Sequence, residues 1–279
     1  MADKKAIPGV SNIIAVSSGK GGVGKSTVAV NLACALKLSG ARVGLMDADV
    51  YGPNIPTMMG VSEQPKLKVA NEEILIPPQN YGIKVMSMGF LIKADQPLIW
   101  RGPMLHSVVN QFCYNVDWGT LDYLIVDMPP GTGDVQLSLA QLVPVAGALL
   151  VTTPQEVSMQ DVRKAFYMFE KVHIPVLGVV ENMSYFVCDG CQKKHYIFGK
   201  GGGTDLAEKL RRKLLAEIPM QNSVCESGDC GKPITMQDPT SLVSSAYQEL
   251  AKTVIHQVAE LSSEDTIDPS QIVQIEKFY

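Results

Sequence analysis

The 279-residue chain is 46% hydrophobic and 19% charged, which suits one large α/β domain or two small ones. Its formal net charge of −4 argues against nucleic acid as a partner, because proteins that bind DNA phosphates usually have a basic face. No segment approaches the roughly 18 uninterrupted apolar residues of a membrane span, and the start "MADKKAIPGV" lacks an apolar signal region, so we expect a cytoplasmic protein without a membrane partner.

Short apolar runs alternate with longer amphipathic runs along the chain. The expected strands are 12–18, 42–49, 83–90, 122–131, 147–154, 175–184 and a short one within 214–220. The expected helices are 26–40, 104–116, 134–143, 158–173, 203–214 and 241–261. Runs such as "YLIVDM" and "GALLVTT" are apolar throughout, as strands buried on both faces are. The pattern therefore predicts an α/β fold with a mostly parallel central sheet and helices on both faces.

Two regions depart from this alternation. The stretch 60–82 is richer in Pro, Asn and Glu, and we expect it to be a hairpin insertion. The last segment, 263–279, is polar and acidic at its start, and we expect it to be poorly ordered or to pack late in folding. The sequence thus suggests one domain over 1–262 and a C-terminal tail over 263–279.

A glycine-rich segment, "GKGGVGKST", follows the first predicted strand and opens the first predicted helix. It matches G-x-x-x-x-G-K-[ST], whose glycines let backbone N–H groups turn toward phosphate oxygens at a helix N-terminus. Lys25 can reach the β- and γ-phosphates of a nucleotide, and the Ser26 hydroxyl can bind Mg²⁺. The candidate phosphate-binding residues are Gly19, Lys20, Gly21, Gly22, Val23, Gly24, Lys25, Ser26 and Thr27.

Lys20 is the unusual residue of this loop, because the ordinary pattern has a single lysine. One interpretation is a solvated side chain without a role in the site. The other is a lysine that crosses to the nucleotide of a second subunit, as an arginine finger does in trans.

Three aspartates lie near the carboxyl ends of predicted strands. Asp47 and Asp49 come at the end of one strand and Asp127 at the end of another. Ligands of such folds bind at the carboxyl ends of parallel strands. Asp127 suits an indirect partner of Mg²⁺, and either Asp47 or Asp49 suits the residue that orients the attacking water. The alternative is that these aspartates only cap strand ends.

Cysteines form a separate question. Cys34 and Cys113 lie in apolar helical runs, and we expect both to be buried. Cys188 and Cys191 form a Cys-x-x-Cys pair, which alone is compatible with a redox pair, half of a zinc site or a pair without function. Two thiolates are too few for a zinc ion or an iron–sulfur cluster, which normally have four protein ligands.

Taken together, these segments resemble a known family. "KGGVGKST", with its early lysine, resembles the deviant Walker A loop of dimeric P-loop ATPases, which include partitioning and septum-site ATPases. Within that group, "DADVYGPNIP", "WRGPM", "DMPPGTGD", "TTPQEVS", "ENMS" and the Cys-x-x-Cys pair resemble the Mrp/ApbC iron–sulfur cluster carriers. The resemblance runs from about residue 10 to about residue 260, and the motifs are specific in combination.

This resemblance implies a P-loop NTPase fold and a homodimer that binds ATP and Mg²⁺ and hydrolyses ATP slowly. It also implies a bridging [4Fe–4S] cluster, held by Cys188 and Cys191, that is delivered to apo-protein clients. Lys20 would be the lysine that acts in trans. Lys25 and Ser26 would hold phosphate and Mg²⁺.

Further roles follow from the same resemblance. It implies that Asp49 belongs to the first switch, that Asp127 begins the second switch, and that Asn182 contacts adenine. Cys225 and Cys230 fall where the family has a Gly-Asp-x-Gly loop without required cysteines, so we do not expect them to be ligands. Many bacterial relatives have a small N-terminal domain, and some eukaryotic ones have an N-terminal four-cysteine site. About ten residues precede the first predicted strand here, so we do not expect a function that rests on either addition.

Two-fold symmetry would solve the shortage of ligands at the Cys-x-x-Cys pair. It brings the same surface of both subunits together, so that two thiolates become four. A cluster on the axis is easy to release, because small subunit motions change its ligand distances. Contacts to the γ-phosphate order the switch loops, and their loss on hydrolysis supplies such a motion.

Two other classes of protein compete with this interpretation. A spatial-organiser ATPase related to MinD and ParA would use the same phosphate loop on DNA or membrane, but it has no use for the Cys-x-x-Cys pair. An electron donor related to the nitrogenase iron protein would hold its cluster with widely spaced cysteines, and Cys113 alone does not reproduce that arrangement.

Overall fold

The centre of the fold is an eight-stranded sheet in the computed structural model, which describes residues 4–69, 73–91, 102–188 and 190–264. Eight of the strands in the described part form this sheet, and the others form the two-stranded pairs β3–β4 and β10–β11. The strands are β1 Val10–Ser18, β2 Val43–Asp47, β3 Lys66–Val69, β4 Glu73–Ile76, β5 Gln79–Asn80, β6 Ile83–Ser87, β7 Leu121–Asp127, β8 Gly147–Thr152, β9 Val176–Glu181, β10 Phe186–Val187, β11 Lys194–His195 and β12 Lys213–Glu217. The sheet order is β12-β9-β8-β1-β7-β2-β6-β5, and every neighbouring pair is parallel except β5 with β6. The predicted mostly parallel sheet is confirmed.

Helices cover both faces of this sheet. They are α1 Lys25–Leu38, α2 Ile55–Met58, α3 Gly102–Tyr114, α4 Asp134–Leu142, α5 Glu156–Lys171, α6 Gly202–Lys209, α7 Asn222–Asp229, α8 Ile234–Gln237 and α9 Leu242–Glu264. Helices α1, α2, α8 and α9 contribute to the hydrophobic core on one face, and α3 to α6 contribute to the core on the other. Among the described residues, we find no helix with the length and apolar content of a membrane span.

The central strand β1 shows why the strands are apolar throughout. Ile13 and Ala15 belong to one core, whereas Ile14 and Val16 belong to the other. Successive side chains of a strand point to opposite faces, so a strand between two helical layers buries all of them. Each of these four side chains is at most 3% exposed. Burial of a large aliphatic side chain contributes about 1.5–3 kcal/mol, which is why a polar residue is disfavoured at either face of β1.

Two local predictions had different outcomes. The hairpin expected within 60–82 is confirmed, because β3 and β4 pair in antiparallel register; residues 70–72 lie outside the described part. The helix expected over 203–214 is wrong at its end. It stops at Lys209, Arg211 takes a left-handed φ of 53°, and β12 then begins.

The C-terminal segment is described only in part. Helix α9 continues to Glu264, two residues past the expected domain end at 262, and residues 265–279 lie outside the described part of the chain. Trp100 and Arg101 of the "WRGPM" motif also lie outside it. The division into a domain and a tail therefore stays a prediction.

Candidate functional site

The carboxyl ends of three central strands bring the predicted phosphate loop and aspartates together. Strand β1 leads into the loop, β2 ends at Asp47, and β7 ends at Asp127. Asp127 is in register with Asp47 on one side and with Val16 of β1 on the other. Parallel strands end at the same edge of a sheet, so residues distant in sequence meet there.

One side of the glycine loop has free space next to it, and its other side packs closely against the protein. Gly22 and Gly24 take left-handed φ values of 80° and 79°, which residues with a side chain rarely adopt. A Cβ atom at Gly21 or Gly22 would meet no protein atom within 4 Å, whereas one at Gly24 would overlap the side-chain amide of Asn182. The loop therefore offers free space and backbone N–H groups at the start of α1, as a bound phosphate requires.

Lys25, the first residue of α1, lies in a buried network of charges. Its Nζ atom is 2.6 Å from Asp127 Oδ1 and 3.2 Å from Asp49 Oδ2. Ser26 Oγ donates a hydrogen bond of 2.6 Å to Asp127 Oδ2. Burial alone lowers the pKa of Lys25, but the charges of Asp127 and Asp49 outweigh it, so the net shift is upward. Lys25 is therefore a buried cation at the start of α1, held between two carboxylates.

The structure separates the roles of the two aspartates near the end of β2. Asp47 is buried and accepts hydrogen bonds from the Asp49 and Ile55 backbone N–H groups and from Ser87 Oγ. Burial, together with the negative charge of Asp127, raises the pKa of Asp47 to about 8. These contacts anchor the loop that follows β2. Asp49, in contrast, lines the cleft in front of the glycine loop.

That cleft has a volume of about 380 Å³. The predicted residues that line it are Lys20, Gly21, Gly22, Gly24, Lys25, Ser26, Thr27 and Asp49. Gly19 lies behind it against the backbone of α5, because a Cβ atom there would overlap Asp161 and Val162. Val23 is buried, and its carbonyl oxygen accepts a hydrogen bond from Asn182 Nδ2 at 2.9 Å. The structure thus brings the predicted nucleotide-binding residues together around one cleft.

Lys20 and Asn182 have surroundings that bear on their expected roles. In the described part of the chain, Lys20 makes no ion pair, and its side chain is half-buried at the rim of the cleft. Asn182 is tied to the glycine loop through Val23, and its backbone N–H donates to the Thr152 carbonyl. The expected contact of Asn182 with adenine stays a prediction.

A small hairpin carries the Cys-x-x-Cys pair. Strands β10 and β11 are antiparallel, Cys188 directly follows β10, and Cys191 is exposed in the connecting turn. The turn is closed by hydrogen bonds from Cys188 N to Lys193 O and from Gln192 N to Cys188 O, at 3.1 and 2.7 Å. The two sulfur atoms lie within 4.8 Å of each other and of a ring nitrogen of His195. The thiols therefore converge at the surface, as metal ligands do.

His195 is a candidate ligand that sequence reasoning missed. The signal was present as a C-x₂-C-x₃-H spacing in "CDGCQKKH", which is similar to the short spacings of zinc sites. Among the described residues, Cys188, Cys191 and His195 are the only group of three or more that could hold a metal ion.

The other four cysteines do not join this group. Cys34 and Cys113 are fully buried, as expected, and burial raises the pKa of each thiol to about 12. Cys225 lies on α7 and Cys230 at its end, and both are exposed. Cys225 also lines a separate pocket of about 330 Å³, and Thr27 lines both this pocket and the nucleotide cleft.

The residues present fit a nucleotide with Mg²⁺. The glycine loop has open space above its backbone, a buried cation stands at the helix start, and the Ser26 hydroxyl lies beside a carboxylate. A strand, a glycine loop of this pattern and a helix, in that order, define the P-loop NTPases. The fold and the cleft therefore assign the protein to that class.

The family assignment is narrower. The chain belongs to the ParA family described as NUBPL iron-transfer P-loop NTPases, whose model matches residues 9–255. The resemblance found in the motifs is therefore confirmed.

Curated relatives agree with this family. The chain is 52% identical over 93% of its length to a Synechocystis protein named iron-sulfur cluster carrier protein, and covers 74% of it. It is 50% identical to a mitochondrial Arabidopsis thaliana protein named as required for NADH dehydrogenase, with 91% and 80% of the two chains covered. It is 49% identical, with the same shares covered, to a Mus musculus protein named iron-sulfur cluster transfer protein NUBPL.

Solved structures give the same fold. A nucleotide-binding protein from Archaeoglobus fulgidus, solved with ADP, is 41% identical and superposes with a TM-score of 0.71 over 81% of this chain and 88% of its own. The cell-division ATPase MinD of Pyrococcus furiosus is 22% identical, with a TM-score of 0.63 over 88% and 99% of the two chains. The MinD likeness is evidence for the fold alone.

Proposed function

We propose that this protein is an ATPase that carries an iron–sulfur cluster to apo-protein clients. The observation that carries the proposal is the coexistence of a P-loop cleft with converging, surface-exposed thiols on the β10–β11 hairpin. Relatives about 50% identical bear the names of iron–sulfur cluster carriers or transfer proteins. A cargo that must leave again is best held at the surface, where a client can reach its ligands.

The cargo is a [4Fe–4S] cluster held between two copies of the chain. Cys188 and Cys191 supply two thiolates, and such a cluster takes four. A homodimer with its two-fold axis at the hairpin supplies the other two from the same residues of the partner. This arrangement leaves the cluster bound only while the subunits keep the right separation.

In the nucleotide cleft, Lys25 and Ser26 exchange partners when ATP binds. Both now contact Asp127, and the phosphates become their new partners. Mg²⁺, bound with ATP, neutralises phosphate charge. Asp49 is the residue that orients the attacking water, because it faces the cleft, whereas the Asp47 carboxylate is occupied by three hydrogen bonds.

A short segment connects the two sites and couples hydrolysis to cluster transfer. Asn182 holds the glycine loop through the Val23 carbonyl, and Cys188 follows six residues later. Between them, the Tyr185 carbonyl accepts a 2.7 Å hydrogen bond from Met220 N, and Phe186 forms an isolated bridge with Met220. A shift of the glycine loop thus moves a backbone that ends at the thiols.

Anaerobic reconstitution followed by transfer tests this function. The protein loaded with iron and sulfide should show cluster absorbance and elute as a dimer. Incubation with a chelator-treated iron–sulfur enzyme should restore that enzyme's activity, and Mg·ATP should change the rate. Free iron and sulfide at equal concentrations are the control. Loss of the visible cluster without gain of client activity would contradict the proposal.

The trans role of Lys20 is tested with mixed dimers. In a dimer of one Lys20→Ala chain and one Asp49→Asn chain, the first chain keeps its own Asp49 and receives Lys20 from its partner. We expect about half of the wild-type ATPase activity, because one of two sites is complete. Each homodimer of a single variant should be inactive.

The reciprocal mixed dimer is the matched control. It pairs a wild-type chain with a chain that carries both substitutions. If Lys20 acts in trans, both of its sites are incomplete and activity is lost. If Lys20 acts within its own chain, the wild-type site stays complete, and the activities of the two mixed dimers are reversed.

A further inference from the structure

The register of the β10–β11 hairpin decides which side chains face the thiols. Phe186 pairs with His195, and Val187 pairs with Lys194. Because side chains alternate along a strand, Cys188 lies on the same face as Phe186, and therefore on the same face as His195. The imidazole and the first thiol are diagonal neighbours across the hairpin.

The lysine next to this histidine confirms that register. Lys194 shares the opposite face with Val187 and Tyr185, and its Nζ atom lies 3.8 Å from the centre of the Tyr185 ring. A slip of one residue would exchange the two side chains, so that the lysine would face the thiols and the imidazole would not. The hairpin thus places an imidazole ring nitrogen, rather than a lysine ammonium group, beside the two sulfur atoms.

The spacing of the three donor atoms suits one metal ion. They lie within 4.8 Å of one another. Tetrahedral zinc bonds of about 2.3 Å to sulfur and 2.0–2.1 Å to nitrogen place ligand atoms about 3.5–3.8 Å apart. Small side-chain rotations at an exposed turn are sufficient to close that gap. No second chain is needed for three ligands.

We propose that Cys188, Cys191 and His195 of a single chain form a three-ligand site for one thiophilic divalent cation, Zn²⁺ in particular. Two thiolates and a neutral imidazole balance the charge of the ion, and a water molecule completes the tetrahedron. The site shares its thiolates with the bridging cluster of the proposed function but does not depend on a dimer. A chain that holds the ion cannot lend both thiolates to a cluster, so zinc loading and cluster loading exclude each other.

Zinc titration of the apo-protein under anaerobic conditions, without nucleotide, tests this site. We expect one ion per chain. His195→Ala should weaken binding at least about tenfold, since even the outer partners of metal ligands typically contribute 10- to 100-fold. With Co²⁺ as a probe, the wild type should show the visible absorption of tetrahedral cobalt–thiolate coordination, and His195→Ala should change its shape. His256→Ala, at an imidazole 73% exposed on α9, is the matched control and should bind as the wild type does.

A second variant keeps the amino-acid composition of the hairpin and tests the register of β10 with β11. Lys194→His combined with His195→Lys moves the imidazole to the other face of the hairpin, and we expect the affinity of His195→Ala. Wild-type zinc affinity in both variants, or one ion per two chains, would overturn the proposal.

Cluster reconstitution of the same variants separates this inference from the proposed function. A cluster that forms in His195→Ala to the wild-type extent, together with weakened zinc binding by the same variant, supports both proposals. A cluster with zinc binding indifferent to His195 rejects this site alone. Zinc binding that depends on His195 in a protein that forms no cluster supports this site and rejects the carrier function.

Discussion

Lys25→Ala is expected to lower the affinity for Mg·ATP by at least about a hundredfold, equivalent to about 2.7 kcal/mol. The variant removes the cation that the glycine loop presents to the phosphates, and charge-assisted hydrogen bonds are the strong ones in such sites. Calorimetric titration measures the effect. Lys37→Ala, in the last turn of the same helix, is the matched control and should keep the wild-type affinity.

The same variant should also destabilise the fold, and this must be separated from the loss of binding. Lys25 is 6% exposed and pairs with Asp49 and Asp127. Removing one partner of a buried ion pair typically costs about 3–5 kcal/mol. The double variant Lys25→Ala with Asp127→Asn removes the more deeply buried of the two unpaired carboxylates, so stability should recover in part while affinity does not. Unchanged nucleotide affinity in a folded Lys25→Ala protein would refute the assignment of the phosphate site.

Cys188→Ala or Cys191→Ala should each abolish the reconstituted cluster. In the proposed homodimer, either substitution removes two of the four thiolates by symmetry, and alanine offers no replacement ligand. Nucleotide affinity should stay close to wild type, because neither cysteine lines the cleft. Iron analysis, visible absorption and nucleotide titration of the same samples measure the outcome. The wild-type dimer should contain about four irons.

Cys225→Ala and Cys230→Ala are the controls for this prediction. Both thiols are exposed, but neither belongs to the group formed by Cys188, Cys191 and His195. Both variants should keep the cluster, and Cys230→Ala is the cleaner control because Cys225 lines the pocket beside the nucleotide cleft. Four irons per chain, lost on changing Cys225 or Cys230, would instead show a site that closes within one subunit.

Much of the nucleotide site could be predicted because its information is local in the sequence. The glycines and Lys25 lie within nine residues. Their pattern predicts both the backbone conformation of the loop and the position of its positive charge. The residue pattern left Asp47 and Asp49 open as the residue that orients the attacking water, and only the family resemblance favoured Asp49 as the catalytic one. The difference between them depends on hydrogen bonds that Asp47 accepts from Ile55 in α2 and from Ser87, which is placed beside it by the pairing of β6 with β2.

The group of candidate ligands on the β10–β11 hairpin was predicted only in part, for a similar reason. The thiol pair is visible as a motif, but the approach of His195 depends on the register of β10 with β11. The end of α6 was misplaced because a left-handed residue terminates it, and that residue is Arg211 rather than the glycine that usually signals such an end. Motifs that are contiguous in the sequence could be predicted, whereas contacts that depend on how separate strands pair could not.

The ion pairs around Lys25 have a consequence for the stability of the nucleotide site between rounds of nucleotide binding. Asp127 and Asp49 give the lysine the negative charge that phosphate gives it when nucleotide is present. Departure of the nucleotide therefore leaves no stranded cation in the interior, and the glycine loop has no electrostatic reason to unfold. Binding and release of nucleotide then exchange one set of anionic partners of Lys25, the phosphates, for another, the two carboxylates. A carrier built this way can pass through an empty state in every cycle and return from it without rebuilding its site.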